Sequence, residues 1–268
     1  MTKTTDVLFL SHGGGPMPLL GDPDHREMVE KLTELAGKLH KPSAILVISA
    51  HWEASVPTIT SGANPGLIYD YGGFPAEAYE IQYPCPGEPE LAKQVYHALE
   101  AAGITARLDD QRGFDHGLFV PLKLMYPEAD IPCIQLSLVS SLDAGTHLAI
   151  GRALQALDYD NLLVIGSGFS FHNMRAFFAP QTPEIQARNE AFKHWLEETC
   201  GDPNMSESER EERLVHWEQA PHARFCHPRE EHLLPLHVCY GLANKPCDAH
   251  SSVAVLGKES GFFYWKAG

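Results

Sequence analysis

Short apolar runs alternate along the chain with segments of helical periodicity. The runs DVLFL, SAILVIS, IPCIQLSLV and NLLVIGSG are continuous in apolar and β-branched residues, which predicts buried strands. The first helical segment, DHREMVEKLTELAGKLHK, has its apolar side chains at helical spacing, at Met28, Leu32, Leu35 and Leu39. This alternation is typical of α/β proteins. We expect one domain (residues 1–268) with a central, mostly parallel or mixed sheet flanked by helices.

One long segment departs from this alternation. Residues 182–218 are polar and include the highly charged stretch PNMSESEREERLVHWEQ. The composition predicts helices that form either an exposed surface pair or a helical insertion that covers a site as a lid. The surface interpretation is favoured, because a charged helix face is usually solvated.

Charge and cysteine content narrow the class of protein. The chain has 268 residues and a formal net charge of −15, which disfavours binding to nucleic acid or to an anionic membrane because these surfaces are also negative. The apolar run near the N-terminus is too short for a signal peptide or a membrane span, so a cytoplasmic protein is expected. The six cysteines form no CxxC pair, which predicts free thiols rather than a disulfide framework.

Histidines follow the predicted strands, and the chain has 15 of them. His12, His51 and His172 each come at or just after the end of a strand, while His116 lies in RGFDHGLFVP and His232 in HPREEHLLPLHV. The carboxyl ends of strands in an open α/β sheet are where ligands collect. A divalent metal is the physical reason to gather neutral imidazoles, since each offers one lone pair. We therefore predict a metal site at this edge.

A single histidine is more often a structural residue than a ligand, so the repeated position at strand ends is what supports this prediction. His237 and His250 have no supporting context. The histidines in helical or polar stretches are predicted to lie on the surface: His25, His40, His97, His147, His194, His216 and His222.

The glycines of SHGGGPMP do not form a nucleotide-binding motif. GGG is not GxGxxG, and the chain contains no GK[ST] sequence. The glycines are better explained as bringing the backbone close to a small bound molecule. His12 is therefore the residue of this stretch that carries the chemistry.

Six motifs in order, from about Val7 to about Gly241, resemble the class III extradiol ring-cleaving dioxygenases, and most closely their DOPA-dioxygenase-like branch. They are SHGGGP, SAHW, YDYGGFPAEAYEIQYPCPG, GFDHGLFVPL, GSGFSFHN and HPREEHLLPLHV. Each motif alone is weak, but six in this order make a specific signal. The resemblance covers most of the chain.

The resemblance implies a set of metal ligands. His12 and His51 take the positions of two metal-binding histidines, and the third ligand falls in HPREEHLLPL, where His232 is preferred. Well-known members use a carboxylate as the third ligand, so Glu231 is the alternative and His227 is expected to support the site from behind. If EEHLLPLHV is helical, Glu231 and His232 point about 100° apart and cannot both face the ion.

The resemblance also implies the remaining roles. His172 takes the place of the acid/base that faces substrate and oxygen, and it is sometimes counted as a further metal ligand. His116 is expected beside the substrate, with pocket-lining residues at Tyr71, Phe74 and Tyr79. Arg175 is a candidate partner for a carboxylate on the substrate, although a surface position is equally compatible with its context.

The implied activity is cleavage of a catechol ring with insertion of both atoms of O₂, with Fe(II) as the active metal. An all-histidine site also suits zinc, so Zn(II) is a possible occupant, although zinc has no redox chemistry. Two other functions are compatible with the residues. One is a zinc hydrolase, which the absence of HExxH disfavours, and the other is a non-enzymatic metal-binding protein on the same fold.

Overall fold

The structure is a computed structural model that describes residues 4–267. Its strands form one mixed sheet of eight, in the order β4-β3-β5-β2-β6-β1-β8-β7. They are β1 (Thr5–Ser11), β2 (Ala44–Ala54), β3 (Thr58–Thr60), β4 (Arg107–Asp109), β5 (Cys133–Val139), β6 (Leu162–Gly168), β7 (Ala249–Val255) and β8 (Lys258–Trp265). β5, β2, β6 and β1 run parallel, whereas β8 pairs antiparallel with β1 and with β7.

Helices cover both faces of this sheet, which confirms the predicted α/β fold. They are α1 (Arg26–Lys38), α2 (Pro89–Ala101), α3 (His116–Met125), α4 (Ala144–Ala153), α5 (Met174–Phe177), α6 (Pro183–Gly201), α7 (Glu207–Val215), α8 (Ala223–Cys226) and α9 (Leu234–Ala243). Several begin at a side chain that accepts a hydrogen bond from the first turn, which satisfies a free N–H group: Asp115, Asp143, Asn173, Thr182 and Ser206.

The core has two layers because successive strand residues point to opposite faces. In β1, Val7 and Phe9 pack towards α2, α4, α6 and α9, while Leu8 and Leu10 pack towards α1 and α3. The polar segment 182–218 forms α6 and α7, whose apolar residues Phe192 and Leu214 join the first layer. Most of the other polar side chains of α6 and α7 are partly or fully exposed, whereas Asn189, Thr199 and Arg210 are buried.

Three neighbouring parallel strands stop pairing with one another at about the same level of the sheet, although β2 continues beside β5 to Ala54. Ser11 at the end of β1 lies opposite Gly168 at the end of β6, and Ser49 of β2 lies opposite Ser167. The register between β2 and β5 then shifts by a bulge after Ser49. The carboxyl ends of β1, β2 and β6 are therefore side by side.

Two of the histidines predicted on the surface are buried. Helical segments carry them inward, where each ring binds backbone groups that a loop leaves free. His25 accepts a hydrogen bond from the backbone of Gly14 at 2.9 Å, and His147 accepts one from the backbone of Val139 at 3.1 Å. The other five are partly or fully exposed, as expected: His40, His97, His194, His216 and His222.

The six cysteines are unpaired, which confirms the prediction of free thiols, and Cys247 is the one that is not buried. Among residues 4–267, no helix is long and apolar enough to cross a membrane.

Candidate metal centre and active site

Five histidines from distant parts of the chain converge on one cavity. His12 directly follows β1, His51 lies within the bulge of β2, and His116 is the first residue of α3. His172 follows β6 after a short turn, and His232 lies just before α9. All five line a cavity of about 260 Å³. The five histidines that the sequence analysis grouped therefore lie together in the structure.

Hydrogen bonds on one side of two rings define which nitrogen carries the proton. Ser167 donates its hydroxyl hydrogen to the carbonyl of Gly117 at 2.5 Å, so it accepts from the Nδ1–H of His12 at 3.0 Å. The carboxylate of Glu231 accepts from the Nδ1–H of His232 at 2.9 Å. In both neutral rings the lone pair is therefore on Nε2.

These lone pairs point towards a common centre. Nε2 of His51 lies 3.0 Å from Nε2 of His12 and 3.3 Å from Nε2 of His232. Two nitrogen ligands at about 2.0–2.1 Å from one tetrahedral or octahedral ion are separated by roughly 2.9–3.4 Å. The spacing and the donor type both fit a divalent metal ion.

Other side chains that could ligate a metal lie on both sides of these three nitrogens. The ligating atoms of His12, His51 and His116 lie within 4.8 Å of one another, and so do those of His172, Glu231 and His232. The 3.3 Å contact between His51 and His232 joins the two groups. His12, His51 and His232 are the three residues whose Nε2 atoms are in direct contact.

Burial keeps the three rings neutral. Burial lowers the pKa of His12 and of His51 well below the ordinary value, and the neighbouring histidines lower both further. Burial, followed by repulsion from His172, lowers the pKa of His232 to about 3, although Glu231 acts in the opposite direction. A neutral imidazole is the form that binds a metal, so these rings need lose no proton to do so near neutral pH.

Asp70 supports the site behind His116, and the sequence analysis did not single it out. Its Oδ1 accepts from the Nδ1 of His116 at 2.8 Å and from the His116 backbone N–H at 3.0 Å, and its Oδ2 lies 3.8 Å from Nδ1 of His51. Burial opposes ionisation of Asp70, but the hydrogen bonds from His116 outweigh it and lower the pKa. The sequence feature that could have identified Asp70 is its position in YDYGGF, next to Tyr71, which was expected to line the pocket.

Glu231 holds two rings with one oxygen. Its Oε1 lies 2.9 Å from Nδ1 of His232 and 3.3 Å from Nδ1 of His172. Burial alone would raise the pKa of Glu231, but the hydrogen bonds from His172 and His232 lower it far below the ordinary value. Glu231 is therefore an ionised carboxylate that lies behind the rings of His172 and His232.

The three candidates for the third ligand lie in different places. Residues 228–233 form bends and turns rather than a helix, so the angular argument from helical geometry does not apply to Glu231 and His232. His232 presents Nε2 to His51, and Glu231 contacts the opposite nitrogen of the same ring. His227 is buried and contacts the carbonyl of Ser170 at 2.9 Å instead. The side chain that contacts the ring of His232 from behind is therefore Glu231, whereas His227 was expected there.

Two glycine positions bring the backbone close enough to form the site. Gly13 has φ +83°, and a Cβ there would lie 2.8 Å from the buried ring of His25. A Cβ on Gly168 would lie 2.1 Å from the carbonyl oxygen of His232, which accepts a hydrogen bond from the backbone of Phe169. The absence of a side chain at Gly168 therefore sets how closely the segment with His232 approaches β6.

Two of the three aromatic residues that were predicted to line a pocket do so. Tyr71 and Phe74 line the cavity, whereas Tyr79 does not and is exposed. Tyr79 instead places its hydroxyl 3.5 Å from the backbone nitrogen of Phe74. Arg175 is exposed on α5 and is also absent from the cavity lining.

Comparison with known proteins identifies the family. Residues 6–264 match the family described as the catalytic LigB subunit of aromatic ring-opening dioxygenase. The dioxygenase tasH of Hapsidospora irregularis is 42% identical over 259 residues, which cover 89% of this chain and 78% of that protein. A 4,5-DOPA dioxygenase extradiol of Beta vulgaris is 38% identical over 243 residues, which cover 90% and 87%.

A solved structure agrees with this result. An uncharacterized protein from Escherichia coli K12 superposes with a TM-score of 0.76 at 28% identity, covering 97% of this chain and 99% of that one. The resemblance carried by the six motifs is therefore confirmed. The chain belongs to the LigB family of class III extradiol dioxygenases, in its DOPA-dioxygenase-like branch.

Proposed function

We propose that this protein is a metal-dependent extradiol dioxygenase that opens a catechol ring beside its two hydroxyls and adds both atoms of O₂. The observation that carries the proposal is the convergence of the Nε2 atoms of His12, His51 and His232 in a cavity that two further histidines also line. The family and the names of its relatives favour ring cleavage over the zinc hydrolase and over a non-enzymatic metal-binding protein.

His12, His51 and His232 would hold the metal, and we propose Fe(II). When bound, Fe(II) supplies a site for the catechol oxygens and for O₂ and lets electrons pass between them. Three protein ligands leave coordination positions open for these molecules, as in other non-haem iron oxygenases. Zn(II) also suits imidazole ligands but has no redox chemistry, so zinc in the same place would give an inactive protein.

His172 is the residue that we propose as the base for a catechol hydroxyl. Its Nδ1 faces Glu231 at 3.3 Å, which leaves Nε2 of the neutral ring able to accept a proton. The charge of Glu231 stabilises the imidazolium that results. The same ring can later return the proton to a product oxygen, because the carboxylate keeps it in a fixed orientation.

His116 is placed to assist from the opposite side of the trio. Its ring lies 3.8 Å from that of His51, measured between centroids, and its Nδ1 is fixed by Asp70. We propose that its Nε2 makes a hydrogen bond to the substrate or to an oxygen derived from O₂. Tyr71 packs edge-to-face on His116, with ring centroids 5.6 Å apart, which limits the positions that the ring can take.

The test is O₂ uptake by protein that has been stripped of metal and reloaded anaerobically with Fe(II) or with Zn(II). The catechol panel includes DOPA, because the Beta vulgaris relative is named for that compound. The proposal expects iron-dependent consumption of one O₂ per catechol and a yellow ring-opened product. Stoichiometric iron with no uptake for any catechol would refute it and would favour the hydrolase or the non-enzymatic metal-binding protein.

A further inference from the structure

The entrance of the cavity is formed by apolar side chains. Phe74, Met174, Phe177, Phe178 and Leu256 line it together, and we call these five residues the entrance patch. Met174 is 53% exposed and Phe178 is 83% exposed. Large apolar side chains that remain in water next to a ligand cavity are typical of a binding surface.

The backbone conformation of Leu256 is a second indication that the entrance patch is a binding surface. It lies in the tight turn between β7 and β8 at φ +51°, followed by Gly257 at φ +70°. Asn and Gly are the usual residues at the first position of such a turn, because a leucine there is strained. The side chain of Leu256 reaches over the glycine loop, where its Cδ1 would lie 3.4 Å from a Cβ on Gly14.

No lysine, arginine or free carboxylate accompanies this patch among the described residues that line the cavity. Arg229 lies near His232 in sequence, but its guanidinium donates to both carboxylate oxygens of Glu53 at 2.6 and 2.7 Å and lies 3.3 Å from Glu231. Its charge is therefore balanced by two carboxylates. Arg175 lies outside the lining, as described above.

The polar side chains of the cavity are few. Apart from backbone, the polar side chains of the lining are the five histidines and Tyr71, and the hydroxyl of Tyr71 donates to the carbonyl of Ala78 at 2.6 Å. The carboxylates of Asp70 and Glu231 lie directly behind the histidines. A carboxylate on the substrate would thus approach two like charges and meet no lysine or arginine among the described residues that line the cavity, which is unfavourable.

We propose that the substrate is a catechol whose ring substituent is uncharged and apolar, an alkyl, alkenyl or aryl group that packs on the entrance patch. The inference rests on the proposed function and specifies its substrate class. Phe177 links the two parts of the site, because its ring centroid lies 6.4 Å from that of His172. The catechol end reaches the histidines while the substituent contacts Phe178, Met174 and Leu256.

The experiment compares ligands of matched size. Propylcatechol is compared with the catechol that carries a propanoate chain at the same ring position, and with DOPA and the aminoethyl catechol. Two quantities are measured with the Fe(II)-loaded protein: kcat/KM in air, and Kd by anaerobic calorimetry. Compared with each charged analogue, propylcatechol is expected to have a kcat/KM at least about 10-fold higher and a Kd at least about 10-fold lower, because an apolar pocket penalises the charged group.

Two arginine variants test the location. Phe178→Arg is expected to improve kcat/KM and Kd for the propanoate compound by about 10-fold and to weaken propylcatechol. Leu108→Arg is the matched control, because Leu108 is 41% exposed on β4 and does not line the cavity. It is expected to change neither ligand, and iron content is measured for both variants.

The outcomes separate the inference from the function on which it rests. Tighter binding or faster turnover of any charged analogue than of propylcatechol overturns the inference, and so does a Phe178→Arg variant that binds both ligands as the unmodified protein does. Absence of O₂ uptake with every catechol refutes the proposed function instead, while the Kd comparison still decides which substituent the cavity prefers.

Discussion

The imidazole rings of His172 and His232 are stacked, with centroids 3.5 Å apart and planes inclined by 16°. Both rings turn Nδ1 towards the same oxygen of Glu231. The proposed metal ligand and the proposed base are therefore held by one carboxylate, and a change in Glu231 affects both. This relationship leads to the first prediction.

Glu231→Gln should weaken metal binding and turnover together. The amide keeps the size of the side chain but removes the charge that fixes the Nδ1–H form of the two rings. We expect a loss of about 10–100-fold in metal affinity and a similar loss in kcat. The measurements are metal titration and O₂ uptake at saturating iron. The control is Glu230→Gln, because Glu230 pairs with Arg224; equal behaviour of the two variants would contradict the prediction.

His172→Ala should separate chemistry from metal binding. Without the imidazole, the catechol hydroxyl has no base at this position, so turnover should fall by about 10²-fold or more. Iron content should stay near that of the unmodified protein, because His12, His51 and His232 remain. His232→Ala is the comparison and should lose iron itself. Wild-type turnover in His172→Ala would show that the base has been assigned to the wrong residue.

Gly168→Ala should disturb the site from behind. The added Cβ would lie 2.1 Å from the carbonyl oxygen of His232, so the backbone must move. We expect the free energy of unfolding to fall by about 1–3 kcal/mol and iron affinity to fall with it. Urea denaturation and metal titration measure these effects.

Gly37→Ala is the matched control for that variant. Gly37 is exposed in α1, and an added Cβ there meets no atom within 4 Å. This variant should be as stable as the unmodified protein or more stable by up to about 1 kcal/mol. The prediction would be wrong if Gly168→Ala unfolded at the same urea concentration as Gly37→Ala.

The thiols should react slowly in the folded protein. Burial raises the pKa of Cys226 to about 12 and that of Cys247 to about 11. Because the thiolate is the reactive form, reactivity at about pH 8 should be roughly 100-fold or more below that of a free cysteine, and it should increase as the pH rises. Titration with a disulfide reagent, native and in guanidinium, should detect all six thiols rapidly only after unfolding. Several fast thiols in the native protein would contradict this.

The convergence of the histidines could be predicted because it follows from the topology. Parallel strands that lie side by side end at one edge, so residues such as His12 and His51 meet there whatever the intervening sequence. His232 required the motif resemblance, since it follows no strand. His232 directs Nε2 towards His51, whereas Glu231 contacts the opposite nitrogen of the His232 ring.

The supporting contacts were not predictable in the same way. Asp70 reaches His116 from a long loop whose path has no periodicity, and Ser167 contacts His12 through a strand pairing that only the sheet order defines. His25 was wrongly predicted to lie on the surface, because its neighbours in the sequence are polar. Its burial depends on the glycine loop folding over it, which is a tertiary contact rather than a local pattern.

The contact between the backbone of Phe169 and the carbonyl of His232 joins the middle of the chain to a segment near its end. A nascent chain that stops short of His232 carries His12 and His51 but lacks the third of the facing imidazoles and the carboxylate behind it. The proposed metal site is therefore complete only after synthesis has passed His232, so a shorter nascent chain would lack one of the proposed ligands.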